Sequence, residues 1–205
     1  MALALCAAFL FHVPPPAKAD QADFPALYDV VDVAGDDVLN VRIAPQGTAA
    51  IIATLRPDAT GIEVVAEDTK GVWGQINVGE VSGWASLRFL KRQPGQSAGS
   101  IAAIAQCGGT EPFWHLRRDG VGFVFGGLGL PETRFRLLWT EGSIGHIGRH
   151  AMILQRDDGQ NATAIITRNA CSDGMSEQQF GLTIDLVLSA NAASAYYSGC
   201  CRLTP

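Results

Sequence analysis

The 205-residue chain sets 15 Lys and Arg against 20 Asp and Glu, a net charge of −5 spread thinly along its length. Nucleic-acid binding needs a concentrated basic face to displace counterions, and the basic residues here stand only in small groups such as Arg88, Lys91 and Arg92. With 23 glycines, 47% apolar residues and no low-complexity tract, the composition is that of a folded, strand-rich protein.

The first residues bear on the compartment. Leu3 to Phe11 is apolar but too short to span a bilayer. Pro14-Pro15-Pro16 and an Ala17-Lys18-Ala19 pattern follow it, so residues 1–19 read as a secretory signal peptide, although no Lys or Arg precedes the apolar run. The expected mature chain starts at Asp20 in an oxidising compartment, periplasmic or secreted, and does not span the membrane.

Between Asp20 and the linker the pattern is of short strands. Leu27 to Val33 is β-branched and ends at Gly35-Asp36-Asp37; Leu39 to Ile43 alternates and stops at Pro45. Ile51–Leu55, Ile62–Ala66, Trp73–Val78 and Ser82–Ser86 follow, separated by turn chemistry at Pro57-Asp58, Lys70-Gly71 and Gly79-Glu80. Such spacing without helical periodicity predicts a small β-barrel over residues 20–92.

The order Leu39-Asn40-Val41-Arg42, Pro45, Gly71-x-Trp73-x-x-Ile76, Gly83-Trp84-Ala85 and Phe89-Leu90 resembles the bacterial SH3 domain across about residues 26–92. The resemblance implies a partly open barrel that targets its host to peptidoglycan peptides or other envelope ligands. Tyr28 and Trp73 are the candidate aromatic contacts, with Asp36 and Asp37 as polar neighbours. Trp73 and Trp84 can equally serve as core residues of so small a domain. Arg42 is expected to close the barrel through an ion pair.

Gln93 to Ser100 is rich in Gly, Ser, Pro and Gln and reads as a flexible linker, set at residues 93–103, between two independently folding units. Ile101 to Ala105 is then a strand candidate leading into Cys107.

Residues 104–205 repeat the strand pattern. Asp119-Gly120, Asp157-Asp158-Gly159-Gln160 and a loop at Asn191 each divide a hairpin, and Phe135–Trp139 supplies a further strand. The expected fold is all-β: a small SH3-like barrel plus a second antiparallel meander of about eight strands, barrel or sandwich, with two disulfides. Cys107, Cys171, Cys200 and Cys201 are the cysteines beyond the signal-like segment. Adjacent cysteines seldom bridge each other, so Cys107 joins either Cys200 or Cys201, and Cys171 takes the other.

Cys107-Gly108-x-x-Glu111-Pro112-Phe113-Trp114, Cys171-x-Asp173-Gly174-Met175-Ser176 and Gly199-Cys200-Cys201 resemble an uncharacterised family of bacterial envelope domains, over about residues 105–202. That resemblance implies no activity. Where the family usually carries an Arg and a Tyr-Pro after Met-Ser, this chain has Glu177-Gln178-Gln179-Phe180. All three pieces are expected in loops at one end of the barrel, gathering Glu111, Trp114, Asp173 and Met175. Those four form either a small-ligand site with an acidic lip or a locked loop cluster in which Glu111 and Asp173 cap backbone N–H groups, Gly174 takes a positive φ and Met175 plugs the barrel.

Enzymatic signals are thin. His115, His146 and His150 lack metal-ligand spacing, no free cysteine pairs with a base, and no metal or cofactor is expected. The leading expectation is a non-catalytic protein that binds peptidoglycan or an envelope partner. The alternatives are a cell-wall hydrolase using Glu111 and Asp173 as acid and base, or a periplasmic inhibitor of lysozyme-type enzymes.

Overall fold

The computed structural model describes residues 24–96, 99–189 and 194–204. The signal-like segment and the Asn191 loop lie outside the described residues. The protein is all-β, in two antiparallel sheets. Among the described residues, no helix is long and apolar enough to cross a membrane.

The first sheet runs β1 (Ala26–Val30), β2 (Leu39–Arg42), β3 (Ile51–Leu55), β4 (Ile62–Glu67), β5 (Trp73–Val78), β6 (Val81–Ser86) and β7 (Leu90–Arg92), with one 3₁₀ turn at Leu87–Phe89. Its strand order is β3-β2-β6-β5-β4-β1-β7. Period-2 alternation sends Ala26, Tyr28, Val30, Val41, Val64, Ile76 and Ala85 into one core. Gly74 and Gly83 take inward positions where a Cβ would press on Val64 and Leu87, or on Val41 and Ile52, at 2.6–2.8 Å. These glycines let the strands approach closely.

The second sheet closes on itself. β8 (Gln106–Thr110), β9 (Phe113–Asp119), β10 (Gly122–Gly127), β11 (Leu130–Gly142), β12 (Arg149–Gln155), β13 (Asn161–Cys171), β14 (Phe180–Ser189) and β15 (Ser194–Arg202) pair each with the next, and β15 pairs with β8. Of barrel and sandwich, the chain forms the closed up-and-down barrel. Full closure leaves it no free edge. Its interior is packed with Leu116, Phe123, Met152, Leu154, Ile166, Leu182, Ile184 and Leu186, with Ala162 and Ala164 as small fillers on β13.

Both disulfides form: Cys107 with Cys201, and Cys171 with Cys200. Cys107 and Cys201 stand opposite each other in the β8–β15 ladder and belong to the barrel core. Their bond therefore staples the seam that closes the cylinder. Cys200, one residue earlier, faces outward, where Cys171 at the end of β13 reaches it across β14.

Three expectations are corrected. Ile101 to Ala105 is not a strand: it is irregular, with Ala102 and Ile104 packed into the barrel core. Cys107 and the Cys200-Cys201 pair lie within strands and not in loops; only Cys171 sits at a strand end. The segment expected as a flexible linker is tied down on its first side. The Gln96 side chain accepts from Leu27 N–H and donates to Leu27 C=O, and the Gln93 side chain donates to Asp29.

The two sheets also meet directly. The loop between β13 and β14 lies against the β5–β6 turn. There Asn77 Nδ2 donates to Gln179 C=O at 2.7 Å, and Gln179 N–H returns a bond to Asn77 Oδ1 at 3.1 Å. Glu177 N–H donates to Glu80 C=O, and Gln178 Nε2 to Gly79 C=O. On the neighbouring side Glu63 Oε2 accepts from Leu203 N–H and Thr204 Oγ1, and Leu27 packs against the barrel core. Gly181 fits closely here, because a Cβ would lie 2.7 Å from Pro25 Cδ.

Candidate functional site

The first sheet carries its candidate site on the outer face of β5. Since Gly74 and Ile76 point inward, Trp73 points outward and is half-buried. Trp84 on β6 follows the same parity between Gly83 and Ala85 and sits diagonally across the ladder, where it pairs with Gln75. Neither tryptophan belongs to the core cluster. The core role open to Trp84 is thus not the one it takes.

Trp73 divides two grooves. One, of about 430 Å³, is lined by Asp32, Asp37, Asn40, Arg42, Trp73 and Phe89. The other, of about 590 Å³, is lined by Pro45, Asp68, Lys70, Val72, Trp73 and Trp84.

The backbone at Trp73 is held by the preceding turn. Asp68 Oδ1 accepts from Val72 N–H and Trp73 N–H, each at 2.7 Å, and Oδ2 accepts from Lys70 N–H. Those bonds, the one from Trp73 foremost, hold the Asp68 carboxyl below its usual range. Gly71 completes the turn with φ +66°, a conformation suited to a residue without Cβ.

The other expected residues divide. Asp37 lines the first groove; its carboxylate accepts from Val38 N–H. Asp36 is exposed and does not line the groove. Tyr28 is a core residue, 8% exposed, because its parity on β1 is that of Ala26 and Val30. Arg42 makes no ion pair among the described residues; its Nη1 donates to Ala49 C=O at 2.7 Å, fixing the turn after β2 at the edge of the same groove. The chain's alternation carried the signal for Tyr28 and Trp84: Ala26 and Val30 as inward residues fix Tyr28 inward, and Gly83 and Ala85 fix Trp84 outward.

In the barrel the expected cluster comes together in part: Trp114 and Asp173 line one pocket of about 200 Å³ with Gly109, Thr110 and Cys200, while Glu111 and Met175 do not line it. Trp114 is inside and 5% exposed, its ring 6.0 Å from Phe125 and 5.5 Å from Tyr197. Gly109 and Gly199 make room for it: a Cβ on Gly199 would lie 3.1 Å from Trp114 Cζ2. Asp173 is outside, on the loop that the Cys171–Cys200 bond pins over β15, and Thr110 Oγ1 donates to its C=O. Glu111 next to Thr110 is exposed.

The Asp173 carboxylate is fully engaged within its own loop. It accepts from Met175 N–H, Ser176 N–H and Ser176 Oγ, with Gly174 at φ +73°. Partial burial pushes its pKa up, but the bonds from Ser176 and Met175 outweigh it and hold the carboxyl below its usual range. A general acid needs the opposite shift. Met175 is 67% exposed and plugs nothing.

His150 is buried in the barrel while His146 is exposed on the loop before β12. Among the described residues, no group of three His, Cys, Asp or Glu is placed to hold a metal ion. No family model matches the chain, and no curated protein or solved structure matches it.

Proposed function

We propose that the protein is a non-catalytic, extracytoplasmic binding protein whose first sheet docks on peptides of the cell envelope, those of peptidoglycan foremost. The observation that carries this reading is the outward, half-buried Trp73 standing between two grooves. One groove supplies both signs of charge through Asp32, Asp37 and Arg42; the other adds Trp84 and Lys70. A flat aromatic face beside paired charges suits a short peptide with free amino and carboxylate groups. The two disulfides accord with an oxidising compartment. The Asp68 turn acts as a positioning element, since it holds the backbone of Trp73.

The test is co-sedimentation of the disulfide-intact chain with purified peptidoglycan, followed by titration with soluble muropeptides. Trp73→Ala should weaken binding at least tenfold, while Trp139→Ala on the barrel exterior should leave it unchanged. Full retention by Trp73→Ala, or no binding by the unaltered chain, overturns the proposal.

A further inference from the structure

The barrel has a second candidate site at the end that holds the β10–β11 and β12–β13 turns. A pocket of about 280 Å³ opens there, walled by Phe125, Leu130, Pro131, Phe135, Leu188 and Tyr197. Its apolar walls are joined by the polar residues Thr133, Gln160, Asn161, Ser189 and Ser194, and among the described lining residues Arg156 is the one that carries a charge. Small-barrel mouths of this kind are where a closed eight-stranded sheet can hold one small ligand.

Two further observations define the occupant. Tyr197 is fixed by ring contacts with Trp114 and Phe125, at 5.5 and 5.2 Å, yet its hydroxyl makes no hydrogen bond among the described residues. Arg156 pairs with Asp158 at 2.5 Å, but both side chains are 40% exposed, so the pair can be exchanged for another anion. A preorganised ring with an unused hydroxyl and a surface cation at the rim form a polar fringe around an apolar pocket.

We infer that the barrel mouth binds a single-chain amphiphile of medium length. The aliphatic tail enters between Phe125, Phe135 and Leu188, and an anionic head meets Arg156. The pocket's size favours one short chain over a two-chain lipid. This site is independent of the Trp73 grooves, being built wholly from the second sheet.

Calorimetric titration of the disulfide-intact chain with decanoate, decanol and decyltrimethylammonium, each below its micelle concentration, tests the inference. One decanoate should bind per chain, with decyltrimethylammonium at least tenfold weaker. Leu188→Trp, which fills the pocket, should weaken decanoate at least tenfold, Arg156→Gln severalfold, and Trp73→Ala not at all. If circular dichroism shows Leu188→Trp to be unfolded, Leu130→Trp fills the opposite wall and serves in its place. Absence of saturable decanoate binding, or binding indifferent to the filling variant, overturns the site. Equal binding of the cationic amphiphile overturns the anionic head.

Discussion

Cys200 and Cys201 share a peptide bond but lie on opposite sides of a wall. Cys201 faces the barrel core and bonds Cys107 directly across the β8–β15 seam, with Cα atoms 4.0 Å apart. Cys200 faces outward and bonds Cys171, holding the loop that meets the first sheet. The two bonds therefore have different work: one closes the cylinder, the other anchors its contact surface.

Removing them should have unequal effects. The Cys107–Cys201 bond closes a span of 94 residues, and on the chain-entropy treatment its loss costs roughly 4.7 kcal/mol as an upper figure. The Cys171–Cys200 bond closes 29, for roughly 3.6 kcal/mol. Cys107→Ala with Cys201→Ala should lower the urea midpoint of the whole barrel. Cys171→Ala with Cys200→Ala should lower it less and raise amide exchange first in residues 172–179. Peptide mapping without reductant checks the pairing itself.

Glycines on β8 and β15 make a second prediction. A Cβ at Gly199 would fall within the carbonyl of Gly108, and one at Gly109 within the indole of Trp114 and 2.7 Å from Ser198 C=O. Gly199→Ala should cost roughly 3 kcal/mol or more, because backbone must shift. Gly109→Ala should be partly rescued by Trp114→Leu, while Gly199→Ala should not. Thermal denaturation of the four variants separates an indole clash from a backbone one.

The all-β class, the two disulfides and most strand positions were legible because hydrophobic alternation and turn residues are local signals. Ile51–Leu55 and Trp73–Val78 fall where the alternation put them. Tyr28 lies in the core because it shares the strand parity of Ala26 and Val30, which outweighs the surface role its aromatic ring suggests. Of Glu111, Trp114, Asp173 and Met175, Trp114 and Asp173 share a pocket and the other two do not line it, for a related reason: a disulfide joins two backbones without stating which face of a wall each side chain takes. The contact between sheets had no local signature. Asn77 is a polar residue near the end of β5 and Gln179 one in a loop, and only the tertiary arrangement brings them together over 102 positions.

That contact yields a third prediction. Asn77 exchanges two bonds with Gln179, and its Oδ1 also receives Ser82 Oγ. Asn77→Ala leaves Gln179 C=O without its partner in a partly buried setting, a loss of roughly 1 to 3 kcal/mol. Adding Gly181→Val, which would crowd Pro25 and the Val65 carbonyl, should uncouple the sheets further. Calorimetry should then resolve two unfolding transitions in place of one for the unaltered chain. A single unchanged transition in the double variant would mean that the interface contributes no cooperativity.

The pH dependence of stability rests on half-buried Glu63 and buried His150, which act in opposite directions. Glu63, at the interface, has its carboxyl pushed up from 4.5 to about 7 by burial, against the bonds from Leu203 and Thr204 and the nearby Arg202. Its protonated form is the better accommodated one, so its contribution is fully present below pH 4.5 and is lost as pH rises through 7. His150, inside the barrel with Nε2 unpaired, is pushed down from 6.5 to about 4 by burial and by Arg168. Its neutral form is favoured, so its contribution is present above pH 6.5 and is lost as pH falls through 4. Each amounts to something on the order of 2 to 3 kcal/mol once solvent screening is allowed for. Between pH 4.5 and 6.5 the two slopes oppose, and the unaltered chain should show a shallow profile. Glu63→Gln, which keeps an acceptor for Leu203 and Thr204, should expose the His150 slope, with stability rising as pH rises. His150→Leu should expose the Glu63 slope, with stability falling over the same range. Urea titrations of the three proteins at half-unit pH steps check this, and parallel profiles for all three would refute the opposed pair.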